Sequence, residues 1–310
     1  MKKYYILIFA VLLCTLSCQK TDKNEENKIS FELSSSELTI ERGGTAKLTL
    51  TTTSNATGEI KWSSSNEKVA TVNDGLITAI TVGTTTITAT AGNQKAECKV
   101  EVHITGAVDL GLSVYWAESS LKKGNTNEDA YYAWGETELK LNSDGSYQNY
   151  TEGNHIYTFS KPEDPTFYYY TKYIPEQFVG VWGGPGDKPD NKLTLDIEDD
   201  VARVKLGGKW RLPTKKEMQD LIDKCEWTWK NNGNSNGYEV TSKTTGKSIF
   251  LPAGGYLEAG IISPYTGYYW STELGTVKST WGSCLNFTDT EKKIGEFVRY
   301  VGCYIRPVTE

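Results

Sequence analysis

Ala96-Glu97-Cys98-Lys99-Val100-Glu101-Val102 places an apolar residue at every second position and a charge between each pair. Side chains two apart share one face of a strand, so the run predicts a β-strand with its apolar face inward and its charged face in water. Shorter runs upstream read the same way: Leu38–Ile40, Ala46–Leu50, Ile60–Trp62, Val69–Val72, Leu76–Ala79 and Thr84–Thr90. Turn residues separate them, at Arg42-Gly43-Gly44, Asn73-Asp74-Gly75 and Gly92-Asn93. Some seven short strands within the 77 residues from Lys28 to Ile104 predict an all-β sandwich. Cys98 falls on the inward face with no second cysteine in the stretch, so it reads as a small core residue and not half of a disulfide.

Composition changes where this stretch ends. Residues 28–104 hold 15 Thr and only two aromatic residues, Phe31 and Trp62, whereas the chain from Thr105 on holds 8 of the 9 Trp and 17 of the 19 Tyr. The shift predicts two folding units, 28–104 and 105–310, in a chain of 310 residues. Net charge is −6, from 39 acidic and 33 basic residues. Such a balance lacks the basic footprint of a nucleic-acid binder. Two histidines, His103 and His155, leave little for metal or acid–base chemistry.

The string Ile60-Lys61-Trp62-Ser63-Ser64-Ser65-Asn66, Val69-Ala70-Thr71-Val72, Gly75-Leu76-Ile77-Thr78-Ala79 and Val82-Gly83-Thr84-Thr85-Thr86-Ile87 resembles the bacterial immunoglobulin-like group 2 family. The resemblance covers the whole of the first unit and implies a spacer or stalk module.

Upstream, Lys2 and Lys3 precede a 13-residue apolar run, Tyr4 to Leu16. A bilayer needs about 20 helical residues, so the run has the length of a secretory signal and not of a span. Leu16-Ser17-Cys18 resembles the lipobox of bacterial lipoproteins, although Thr15 stands where an aliphatic residue is usual. That resemblance implies a signal peptide over residues 1–17 and lipidation of Cys18, which anchors the mature chain to a membrane through lipid alone. Residues 18–27 carry no apolar side chain after the cysteine and are expected to be a flexible tether. Asp22, Glu25 and Glu26 in it resemble the export tags of Bacteroides-type surface lipoproteins, which implies an outer-membrane, outward-facing location.

The second unit holds one strong helix signal. Thr214 and Glu217 form a capping box, and Met218, Leu221, Ile222 and Cys225 fall on one apolar stripe. A shorter helix is expected over Asp199–Lys205, capped by Glu198 or Asp199 and stopped by Gly207-Gly208. Strands are expected at Lys247–Leu251, Tyr268–Ser271, Cys284–Phe287 and Val298–Arg306. This is an α+β pattern with much irregular chain.

Seven motifs then line up in order: Val108-Asp109-Leu110-Gly111-Leu112-Ser113-Val114, Tyr132-Ala133-Trp134-Gly135-Glu136-Thr137, Leu195-Asp196-Ile197-Glu198-Asp199-Asp200, Gly208-Lys209-Trp210-Arg211-Leu212-Pro213-Thr214, Phe250-Leu251-Pro252-Ala253-Gly254-Gly255-Tyr256, Tyr269-Trp270-Ser271-Thr272 and Tyr304-Ile305-Arg306-Pro307-Val308. They resemble the Fibrobacter succinogenes major paralogous domain family over nearly all of residues 107–308. Through the Arg-Leu-Pro-Thr-x-x-Glu helix and the terminal strand, that family is similar to the formylglycine-generating enzymes and the C-type lectin-like fold. The fold so implied is an all-β Ig-like sandwich followed by an α+β C-type lectin-like domain. Function does not follow from it, because one fold hosts many sites.

A formylglycine-type oxidase needs a reactive cysteine pair. Cys225, Cys284 and Cys303 are far apart in sequence and form no close Cys-x-Cys pair, so packed thiols and no catalysis are expected. No cofactor is expected, calcium being the one metal for which oxygen ligands are at hand, at Asp187 and Asp190. The loop aromatics are the best ligand signal: Tyr168, Tyr169, Tyr170, Trp182, Tyr265 and Tyr268 lie amid Gly, Pro and Asp and offer flat faces for an extracellular glycan or a host or surface protein. Trp134, Trp210 and Trp270 lie inside the motifs, and with Trp227 they read as structural. The expected function is a surface binding or adhesion protein, with a structural subunit of a fimbria-like assembly as the alternative.

Overall fold

A computed structural model describes residues 30–52, 58–150, 157–164, 167–178, 188–263, 265–278 and 280–310. The chain forms two compact units that divide between His103 and Ile104. No helix among the described residues is long and apolar enough to cross a membrane.

In the first unit the strands are β1 (Phe31–Leu33), β2 (Glu37–Glu41), β3 (Thr45–Lys47), β4 (Leu50–Thr52) and β5 (Lys61–Ser64). They are followed by β6 (Ala70–Asn73), β7 (Leu76–Ala79), β8 (Gly83–Ala91) and β9 (Gln94–His103). One sheet has the order β2-β9-β8-β5 and another β3-β7-β6, with β1 paired to β4. The alternation that opened the sequence reading is realised: Cys98, Val100 and Val102 are buried while Lys99 is exposed. They share a core with Ile40 and Ile87 of their own sheet and with Ala70, Ile77 and Ala79 of the other, as the two faces of a sandwich must. The Asp74-Gly75 turn joins β6 to β7 with φ of 45° and 71° at its two central residues, the left-handed pair a two-residue hairpin favours. One expectation is corrected. The strand read over Ala46–Leu50 is broken, because Leu48 drops into the core and its N–H bonds the Gly75 carbonyl, after which β4 joins β1 in a different sheet.

The second unit is built from smaller pieces. Its strands are β10 (Ala107–Val108), β11 (Tyr115–Ala117), β12 (Ser160–Asp164) and β13 (Phe167–Tyr170), followed by helices α1 (Val201–Leu206) and α2 (Lys215–Lys224). Then come β14 (Cys225–Asn231), β15 (Asn236–Ser242), β16 (Ser248–Pro252), β17 (Leu257–Glu258), β18 (Ile261–Ile262), β19 (Gly267–Leu274), β20 (Trp281–Phe287), β21 (Lys292–Val298) and β22 (Val308–Thr309). The larger sheets are β14-β15-β16, β19-β20-β21 and β10-β11-β22.

The capping box forms as the sequence requires, and Met218 and Leu221 of α2 are buried. Cys225 ends that stripe as the first residue of β14. The cap of α1 is Asp200, one residue past the expected pair: its Oδ1 accepts from Ala202 and Arg203 while Oδ2 accepts from the Leu212 N–H. The strand expected over Val298–Arg306 is also corrected. Residues 301–309 are buried throughout, and isolated bridges tie them to three separate segments, Cys303 to Tyr132, Gly302 to Leu257 and Tyr304 to Tyr269. A segment read by three partners cannot keep one ladder.

Polar tips on large rings hold the irregular chain in place. Trp134 Nε1 donates to Ser271 O (2.9 Å) and Trp270 Nε1 to Tyr132 O (2.8 Å). The Tyr157, Tyr131 and Tyr269 hydroxyls donate to the carbonyls of Trp134, Gly254 and Pro252. Arg306, fully buried, donates to the Ala117 and Phe250 carbonyls. Buried carbonyls that lack a ladder partner, in loops or at strand edges and breaks, must be satisfied this way or pay for burial.

Candidate functional site

Tyr170, expected as an exposed ring, is buried and belongs to the core. The Arg299 guanidinium lies 3.6 Å from its centroid, while Arg299 Nη1 donates to the Lys172 and Tyr173 carbonyls. Tyr170 is therefore a pillar and presents no free face. Tyr265 is 66% exposed, at a left-handed φ of 69°. Tyr268 is half-buried, with Phe297 at 4.8 Å and Tyr256 at 5.2 Å from its ring, beside a depression of about 260 Å³ that Asn286, Lys293 and Glu296 also line. Cys18, Trp182 and Asp187 lie outside the described residues, as do the side chains of Tyr168 and Tyr169.

Asp190, the other expected calcium ligand, is spent on the backbone. Its carboxylate accepts from the Tyr173, Ile174 and Lys192 N–H groups at 2.6, 2.7 and 3.1 Å. The neighbouring acidic run is neutralised from within the fold: Lys172 pairs with Asp196 at 2.7 Å and with Asp199, and Lys192 pairs with Asp196. Burial pulls the Lys172 ammonium down, but these carboxylates hold it above its ordinary value. Among the described residues no three His, Cys, Asp or Glu side chains are grouped to hold a metal ion.

The thiols are equally committed to structure. Cys98, Cys225, Cys284 and Cys303 are free and buried. Burial pushes all four above the ordinary thiol range, Cys284 to about 12. A reactive thiolate needs the opposite shift.

A sizeable cleft lies elsewhere, in the second unit. It holds about 710 Å³ and is lined by the turn after β11, the Glu138–Leu141 segment, the end of α1, Trp210 and Pro307. Clefts of roughly 300–1,000 Å³ accommodate small organic ligands. Local sequence explains how Trp210 arrives there. Helix α1 ends at Gly207, and Gly207 and Gly208 take φ of 68° and 55°, a left-handed pair that glycine adopts without a Cβ penalty. The turn closes with the Trp210 N–H on the Gly207 carbonyl (3.2 Å). Trp210 emerges half-buried, outside the core cluster and outside the partly buried rings packed on it. Its indole is therefore a wall of the cleft, where sequence reading had placed it among the structural tryptophans.

Around that ring, Leu121, Leu139, Leu141 and Leu206 supply apolar surface, and Ser119 and Asn125 supply polar groups. The Tyr132 phenol, pushed up to about 12 by burial, stays protonated on the same wall. Two ion pairs frame the opening, Lys122 with Asp129 at 2.5 Å and Lys205 with Glu138 at 2.6 Å. The arrangement offers a flat aromatic face beside hydrogen-bonding edges. It suits binding of an amphipathic ligand and places no activated nucleophile in the cleft.

The geometry thus defines an immunoglobulin-like sandwich followed by an aromatic-rich unit with a sizeable cleft. Residues 29–101 match the family of bacterial Ig-like domains, group 2. No curated protein matches the chain. Among solved structures, domains 4 and 5 of the S-layer protein SbsC are 24% identical over 24% of this chain and 50% of that one, with a TM-score of 0.21. The chain thus spans half the length of that structure. Domains 5–6 of SbsC are 13% identical over 90% of this chain and 97% of that one, with a TM-score of 0.23. Likeness at such scores carries nothing about function.

Proposed function

We propose that this protein is a lipid-anchored binding protein of the outer-membrane surface. The Ig-like unit serves as a spacer, and the second unit, of C-type lectin-like and formylglycine-generating-enzyme-like fold, presents a ligand cleft to an extracellular glycan or to a host or surface protein. The observation that carries this reading is the half-buried Trp210 on the wall of a cleft of about 710 Å³. The lipobox-like Leu16-Ser17-Cys18 supports the anchor, and the four buried, protonated thiols support binding without catalysis.

The full chain probed against glycan and extracellular-matrix arrays tests the reading. Trp210→Ala should lower affinity for any ligand found by about tenfold, the worth of one well-packed aromatic face. Equal binding by wild type and Trp210→Ala, with Tyr265→Ala losing it, would move the site to the 265–268 turn. In cells, Cys18→Ala should release the protein from the membrane fraction, and retention there would refute the anchor.

A further inference from the structure

We infer that the Trp210 cleft takes a neutral saccharide and rejects acidic ones, a specificity that rests on the reading of this cleft as the ligand site. The argument is the charge count of its wall. Both lysines that line it are already held, Lys122 by Asp129 at 2.5 Å and Lys205 by Glu138 at 2.6 Å. Asp129 is largely buried, with a side chain 12% exposed, so the first pair does not open to a passing anion without leaving a buried carboxylate bare. Glu118 adds a further carboxylate to the lining, exposed and without an ion pair among the described residues. Counted with Asp129, which holds Lys122 from behind the lining, the cleft carries one negative charge in excess, and its described lining holds no unpaired cation.

A uronate, sialate or sulfate group brought there meets repulsion and finds, among the described lining residues, no unpaired guanidinium or ammonium to replace its hydration shell. A neutral sugar meets neither cost. Its apolar C–H face fits the Trp210 indole, and its hydroxyls can bond the ion-paired carboxylates and ammonium groups without breaking the pairs. An apolar small molecule is the poorer match, because it would cover those charged groups and satisfy none of them.

The test uses the full chain and two panels at equal ionic strength. One panel holds neutral oligosaccharides (gluco-, manno-, galacto- and xylo-oligomers), the other acidic ones (oligogalacturonates, hyaluronan and heparin fragments, sialyllactose). Titration followed by tryptophan fluorescence should show neutral ligands binding and the acidic panel weaker by at least several-fold. Trp210→Ala should remove both the binding and the fluorescence change. Glu138→Gln, which frees the Lys205 ammonium, should raise affinity for the acidic panel several-fold. A wild-type preference for acidic sugars that Trp210→Ala abolishes would overturn this specificity while leaving the cleft as the site. So would a Glu138→Gln variant that gains nothing, or failure of both panels to bind. Saccharide binding untouched by Trp210→Ala would instead overturn the site itself.

Discussion

The two units solve the same problem, covering backbone polar groups in a buried interior, by opposite means. The first does it with ladders. Strands β8 and β9 pair residue for residue from Gly83–Val102 to Ala91–Gln94, and the core beneath them is mainly aliphatic, with Trp62 packed at its margin. The second has short ladders and long irregular chain, and it covers carbonyls in loops and at strand edges and breaks with the tips of Trp, Tyr and Arg side chains. Aromatic abundance in the second unit is therefore mostly a structural answer to irregular backbone. A ring becomes a candidate for binding only when, like Trp210, it is left out of that scaffold.

The sharpest way to break this contrast is to remove one pillar from each unit. Trp134 is fully buried, and its indole N–H serves the Ser271 carbonyl. Trp134→Ala should cost about 3–5 kcal/mol, from the emptied volume and the orphaned carbonyl together. Ile87, equally buried in the first unit, makes no polar contact through its side chain, and Ile87→Ala should cost about 2–5 kcal/mol as a cavity alone. Hydrogen exchange separates the cases. Trp134→Ala should strip protection from the irregular half of β19 around Ser271, whereas Ile87→Ala should weaken the β8–β9 ladder evenly. If Trp134→Phe, which restores most of the volume but no donor, recovers the full loss, the polar-pillar account of the second unit fails.

The same contrast explains what the sequence could tell and what it could not. In the first unit, strand faces and turns are local patterns, so the period of two and the Asp74-Gly75 turn were legible directly. Leu48 was not, because a strand that leaves one sheet for another keeps an apolar residue at the crossing and looks unbroken. In the second unit the capping box was legible because Thr214 and Glu217 act within one turn. The β14–β15 hairpin went unread, its alternating Trp227 and Trp229 being hidden among asparagines. The candidate site was missed for a related reason. Whether Trp210 is core or wall depends on two left-handed glycines before it and on segments far away in the chain, around Ser119, Glu138 and Pro307. The Gly207-Gly208 pair is the one local signal, and by itself it marks only a helix stop.

The smallest effect expected is electrostatic, and it tests how far the second unit leans on a single local device. Glu217 both closes the capping box on the Thr214 N–H (2.8 Å) and binds Arg211 through two bonds of 2.7 and 2.9 Å. Burial alone would raise its carboxyl, but the Arg211 guanidinium and the Thr214 N–H hold it below the ordinary glutamate value. A group with a depressed folded pKa adds stability above its unfolded pKa of about 4.3 and loses that contribution as pH falls through the folded value. Glu217→Gln keeps an acceptor for Thr214 but no charge for Arg211, so it should cost about 1–2 kcal/mol at pH 7. Denaturant titrations at pH 7, 5 and 3 should show the gap between variant and wild type persisting to pH 5 and narrowing by pH 3. A gap that stays constant down to pH 3 would mean that the carboxylate contributes as a shape and a hydrogen-bond acceptor. The charge pairing with Arg211 would then be incidental to the fold.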